Sequence, residues 1–153
     1  VLGKTLEQHP HLFGVDNPRP GNLVDFLSQQ AIDQTLPAGV VLQAILEGLG
    51  EIWAGRLTLD GVNLGDVWMH PAIQGNFPGD QFVPFHKLSQ WLTYSLLEPL
   101  QEMGLKITGL DQLTGLPEYR NGGLCLDLGL LQVKDPAILQ RAHRPESEVI
   151  VEW

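Results

Sequence analysis

Cysteine is almost absent. Cys125 is the only one in 153 residues, which excludes an internal disulfide and fits a reducing, cytoplasmic compartment. It lies among leucines and reads as a core residue rather than a nucleophile. Basic residues are scarce too: nine Lys and Arg stand against 18 Asp and Glu, a net charge of −9. That balance works against nucleic-acid binding, where neutralised phosphates supply most of the affinity. It still allows a small phosphorylated ligand held by one or two placed cations. No apolar run is long enough to span a membrane. Val1-Leu2-Gly3-Lys4 is followed by neither the apolar run nor the cleavage site of a secretory signal. What is present is 43% hydrophobic residues, enough for a single domain over residues 1–153 with a real core. Both ends read as interior sequence, the last being the apolar Glu148-Val149-Ile150-Val151-Glu152-Trp153. The reading is a portion of a longer protein, with an apolar surface near Val149 to Trp153 that the rest would cover.

Along the chain, prolines and caps mark helix starts. Asn22 is a candidate N-cap for a helix through Gln30, with Leu23, Phe26 and Leu27 inward. Pro37 opens a second helix, striped by Val40, Val41, Ala44, Ile45, Gly48 and Leu49. Arg56 to Leu64 reads as extended chain turning at Asp60-Gly61. Gln74 to Gln81 reads as a surface loop. Tyr119 to Gly129 fits either a strand or a helix. Asp135-Pro136 is a cap followed by a first-turn proline.

Pro84 suits the first turn of a central helix, and Phe85, Leu88, Leu92, Leu96 and Leu100 recur at helical spacing, so that face is predicted to be buried. Pro99 predicts a kink or stop and Gly104 a C-terminal signal. Lys87, Gln90 and Tyr94 share a neighbouring face, either a solvated flank or a place for chemistry. His9 and His11 flank Pro10 and read as surface histidines with no third ligand nearby in the chain. Asp66 and His70 share a face if their segment is helical, and a structural Asp–His hydrogen bond is the reading there. No metal and no cofactor are expected.

Three phrases carry a resemblance: Leu59-Asp60-Gly61-Val62-Asn63-Leu64-Gly65-Asp66-Val67-Trp68, Pro84-Phe85-His86-Lys87-Leu88-Ser89-Gln90-Trp91-Leu92-Thr93 and Thr114-Gly115-Leu116-Pro117-Glu118-Tyr119-Arg120-Asn121-Gly122-Gly123. With them the chain resembles the C-terminal part of the uracil catabolism protein 4 family. That family is larger than this chain, and its pathway breaks uracil down to urea and a three-carbon acid. Phe85 to Gln90, Leu113-Thr114, Glu118-Tyr119-Arg120, Leu128-Gly129, Leu131 and Ser147-Glu148-Val149 are more distantly similar to phrases of the queuosine-nucleotide salvage hydrolases.

The distant resemblance implies a mainly α fold: a helix-hairpin-helix, DNA-glycosylase-like helical domain with short peripheral strands. It implies hydrolysis of an N-glycosidic bond, on a ribosylated pyrimidine or a ribosylurea-type intermediate. Lys87 falls at the position of a functional lysine and Glu118 at that of a catalytic aspartate, one methylene longer. Arg120, Tyr119, His86 and Asp66 are the candidate substrate-binding residues, and His86 departs from the hydrolase pattern. The implied partners are a small nucleoside or nucleotide and the missing N-terminal region of the same protein. On the residues alone, Lys87–Glu118 reads as a structural ion pair with Arg120 on the surface; with the resemblance, that reading and the catalytic one stand level. A non-catalytic nucleotide-binding or pathway-partner protein stays open beside the enzyme.

Overall fold

The computed structural model describes residues 1–53 and 57–153, and of Tyr119 the backbone alone. Arg56, where the extended reading began, lies outside the described residues. The architecture is mainly α. Its helices are α1 (Leu2–Gln8), α2 (Pro10–Phe13), α3 (Leu23–Gln30), α4 (Ala38–Leu49), α5 (Lys87–Glu102), α6 (Tyr119–Asp127) and α7 (Glu148–Glu152). The strands are β1 (Thr35–Pro37), β2 (Thr58–Leu59), β3 (Val62–Asn63), β4 (Val67–Met69), β5 (Phe82–Pro84) and β6 (Lys106–Thr108). They form three two-stranded sheets among the described residues: β1 parallel to β6, and β2–β3 and β4–β5 antiparallel. The chain divides into two compact units, Val1–Asp66 with His86–Leu116, and Val67–Phe85 with Pro117–Trp153.

The first unit holds the main core. Leu6, Leu12 and Phe13 of α1 and α2, Leu23 and Leu27 of α3, Leu36 of β1, Val41, Ala44 and Ile45 of α4, and Leu97 and Leu100 of α5 pack as one cluster. Burying a leucine fully contributes about 1.5–3 kcal/mol. The buried face of α4 follows the sequence reading at Val41, Ala44, Ile45, Gly48 and Leu49, with Ala38 added and Val40 only half-buried. Pro37 precedes α4 as its N-cap in an extended conformation (φ −67°, ψ 135°), ending β1 rather than opening the helix. Asn22 precedes α3 without a side-chain cap. Its Nδ2 donates to Phe13 O at 2.6 Å and ties α2 to the start of α3. Asp60 (φ 50°) and Gly61 (φ 82°) are both left-handed, the backbone of the tight β2–β3 turn that Asp-Gly signals.

Helix α5 departs from its sequence reading in three ways. Pro84 ends β5, and the helix begins at Lys87 after His86, which is left-handed (φ 45°, ψ 38°). Its buried residues are Ser89, Gln90, Thr93, Leu97 and Leu100, whereas Leu88 is 45% exposed. The face is rotated toward polar side chains because their hydrogen bonds offset the cost of burial; Thr93 Oγ1 donates to Ser89 O at 2.9 Å. The helix also runs through Pro99 to Glu102. It stops as Gly104 predicts. Gly104 (φ 96°) donates to Gln101 O at 2.9 Å and Leu105 N–H to Leu100 O at 3.1 Å, the paired bonds of a Schellman cap.

In the second unit the segment leading to His70 is a strand, β4, not a helix, and His70 follows its last residue, Met69. Residues 119–127 are helical, and Asp135 caps the 3-10 turn Pro136–Gln140 by accepting Ala137 N–H at 3.0 Å. Segment 148–152 is a short helix with Val151 buried and Ile150 and Trp153 exposed. Leu124, Leu128, Leu130, Leu131 and Leu139 are exposed in the same unit. Cys125 is half-buried, not a core residue.

Helix α4 approaches α2 closely at Gly48. A methyl on Gly48 would lie 2.7 Å from Leu12 Cδ1 and 2.8 Å from Phe13 Cζ, whereas one on Gly50 would meet nothing within 4 Å. Gly48→Ala gains about 1 kcal/mol of helix propensity but overpacks the core at a cost of about 1–3 kcal/mol. The expected result in chemical denaturation is a net loss of stability for Gly48→Ala. Gly50→Ala, with its right-handed backbone (φ −54°), should gain about 0.4–1 kcal/mol. Equal gains at both positions would contradict the packing.

Candidate functional site

Asp66, His86 and Lys87 come together at the start of α5, within the first unit. A helix start leaves backbone N–H groups without intrahelical partners, and His86, the N-cap residue, supplies no side-chain cap. Asp66 supplies it from 21 residues upstream: its Oδ2 accepts Lys87 N–H at 3.0 Å. Its backbone carbonyl accepts His86 N–H at 3.1 Å. A carboxylate there also answers the positive end of the helix dipole. Asp66 is therefore a positioning residue for the half-buried Lys87. Burial holds the His86 imidazole below its ordinary value of 6.5, and the Asp66 carboxylate opposes that shift.

Further along α5, Gln90 and Tyr94 hold Thr114 from three sides. Gln90 Oε1 accepts Thr114 N–H at 3.0 Å, Gln90 Nε2 donates to Thr114 Oγ1, and Tyr94 OH donates to Thr114 O at 2.9 Å. The sequence reading grouped Gln90 and Tyr94 with Lys87 but missed this clamp, whose partner lies 24 residues on from Gln90, in the irregular stretch before α6. The only signal for it was a glutamine and a tyrosine one turn apart beside an apolar stripe.

Glu118 and Arg120 belong to the second unit. Glu118 follows Pro117 as the N-cap of α6, and its Oε1 accepts Arg120 N–H at 3.2 Å. The sequence left Tyr119 to Gly129 open between strand and helix, and the structure makes Glu118 a helix cap. Glu118 is half-buried and Arg120 exposed, while the side chain of Tyr119 lies outside the described residues. His70, also in this unit, is buried, and its Nδ1 accepts Ala72 N–H at 3.2 Å. That bond puts the neutral ring's proton on Nε2, 3.4 Å from Glu152 Oε1.

Two outcomes are expected. Asp66→Ala should cost about 0.5–2 kcal/mol in thermal or chemical unfolding, as loss of a helix cap does, and Asp66→Asn, which keeps an acceptor, much less. The lowered pKa of His86 means the unfolded chain binds its proton more readily than the folded one. Its contribution to stability is complete above about pH 6.5 and is lost as pH falls through the lower folded value. Melting curves from about pH 7.5 to about pH 5 should show this loss, and His86→Gln should reduce it.

The whole chain, residues 1–153, matches the family described as protein of unknown function (DUF1688). It is 40% identical over 178 residues to uracil catabolism protein 4 of Lachancea kluyveri, an alignment covering 99% of this chain and 40% of that protein. It is 47% identical over 104 residues to protein urg3 of Schizosaccharomyces pombe, covering 67% of this chain and 24% of that protein. The chain thus spans well under half the length of the curated relatives it matches. No solved structure matches it. With residues 1–153 matched from end to end, the chain belongs to the DUF1688 family.

Proposed function

We propose that this chain forms part of a uracil-catabolism protein that hydrolyses the N-glycosidic bond of a ribosylated pyrimidine or a ribosylurea-type intermediate. The observation that carries the pathway is the 40% identity, over 99% of the chain, with a protein named uracil catabolism protein 4. The reaction rests on the chemistry of two groups, a carboxylate and an ammonium. Breaking an N-glycosidic bond builds positive charge on the anomeric carbon and negative charge on the leaving nitrogen. A carboxylate answers the first, as nucleophile, as base for water or as a fixed countercharge. A cation or acid answers the second. In this proposal Glu118 takes the first role and Lys87 the second. Arg120 engages a phosphate, and His86 and Tyr119 line the substrate. Support for Lys87 is its fixed position at the first residue of α5, with its backbone N–H bound to Asp66. The proposal extends to a glycosylase-like helical fold for the complete protein, a cytoplasmic setting and a nucleoside or nucleotide ligand.

A second reading has its own observation. Glu118 already caps α6, and a carboxylate spent on a cap suits a non-catalytic, nucleotide-binding or partner protein. The two readings separate in one experiment. The full-length protein is incubated with ribosylated pyrimidine-pathway compounds, and released ribose or ribose phosphate is measured. Under the enzyme reading Lys87→Ala and Glu118→Gln abolish turnover. Glu118→Gln keeps an oxygen for the cap, so stability should change by less than about 1 kcal/mol. Normal turnover in either variant removes that residue from the chemistry. Binding without sugar release from any compound would favour the partner reading.

A further inference from the structure

The sequence offers His9 and His11 around Pro10 but no third ligand near them. The fold provides one 36 residues on: His11 Nε2 lies 2.6 Å from Glu47 Oε1. One ligand atom from each of His9, His11 and Glu47 lies within 4.8 Å of the others. A tetrahedral zinc ion with bonds of about 2.0–2.2 Å places its ligand atoms about 3.5 Å apart. Small side-chain rotations therefore bring this set into coordination, with the ion replacing the proton between His11 and Glu47.

The three residues stand on fixed backbone. His9 closes α1 and precedes α2, and its carbonyl accepts Leu12 N–H at 3.0 Å and Phe13 N–H at 3.1 Å. The His11 ring meets Phe26 edge to face, with centroids 6.3 Å apart, and the His9 ring at 6.0 Å. Glu47 precedes Gly48, where α4 presses on Leu12 and Phe13. His11 and Glu47 are each about half exposed, so an ion has an open approach.

We propose that His9, His11 and Glu47 form a three-ligand site for a divalent cation of the zinc class, bridging the α1–α2 junction and α4. Two imidazoles and a carboxylate are a zinc donor set that leaves a fourth position open. Magnesium and calcium take oxygen ligands instead. The buried His70, near Glu148 and Glu152, is a poorer ligand. Its Nδ1 accepts the Ala72 N–H, so the neutral ring carries its proton on Nε2 and has no lone pair there for an ion.

The test uses the tag-free chain, freed of metal with a chelator and titrated calorimetrically with zinc chloride and, separately, magnesium chloride. One equivalent of zinc should bind and raise the thermal midpoint, and magnesium should not bind. His11→Ala and Glu47→Gln should each weaken zinc binding at least about tenfold while leaving the circular dichroism unchanged. In the unsubstituted chain, zinc should shift the imidazole NMR signals of His9 and His11. No saturable binding, unchanged affinity in both variants, or shifts at His70 in place of His9 and His11 would each overturn the proposal.

Discussion

Where α4 passes α2 there is room for a hydrogen atom and nothing larger. The missing side chain at Gly48 lets Leu12 and Phe13 lie directly against the helix backbone, and both are almost fully buried in the main core. The same approach determines what happens at the rim. His11 precedes Leu12 and Glu47 precedes Gly48, so seating the apolar pair brings the polar pair together. Core packing and the His–Glu contact are one geometric fact seen from inside and outside. Interiors this dense transmit small shifts, so a displacement of α2 would be felt by the main core on one side and by the histidines on the other.

Local chemistry was legible in the sequence. The Asp60-Gly61 turn, the Asp135 cap, the stop at Gly104 and the inner face of α4 all follow from interactions within a few residues. What was not legible depended on distant partners. Strand β1 pairs with β6, far along the chain, and neither segment is long or periodic enough to announce itself. The face of α5 was misread because an apolar pattern registers leucines and cannot register the hydrogen bonds that let Gln90 and Thr93 replace them. Both misplaced prolines share a cause. Pro37 and Pro84 each end a short strand just before a helix, where the ring's preferred φ suits extended chain as well as a first helical turn.

The candidate site divides in the same way. Glu118 caps α6 through a bond to Arg120, two residues on, although leucine spacing alone left strand and helix open there. Lys87 was recognised as a side chain worth weighing, yet its setting was not: the carboxylate that bonds its N–H belongs to Asp66, and the left-handed turn falls on His86, not on a glycine. Histidine tolerates that backbone better than most side chains. Asp66 and His86, grouped from sequence as substrate contacts, are also the architecture of a helix start. A residue can be recognisable by family pattern and still be explained by backbone hydrogen bonding.

The bonds from Asp66 to His86 and Lys87 have a topological meaning as well. They pin together the two points between which residues 67–85 run, so that segment is a closed loop whose ends meet in hydrogen-bonding contact. For such a loop the entropy of closure grows only logarithmically with length, about 0.6 kcal/mol for each doubling. Its exposed middle, from Gly75 to Gln81, contributes no residue to the main core. The Asp66 clasp thus makes this stretch a place where chain can be added or removed at little thermodynamic cost, while the first turn of α5 stays where it is.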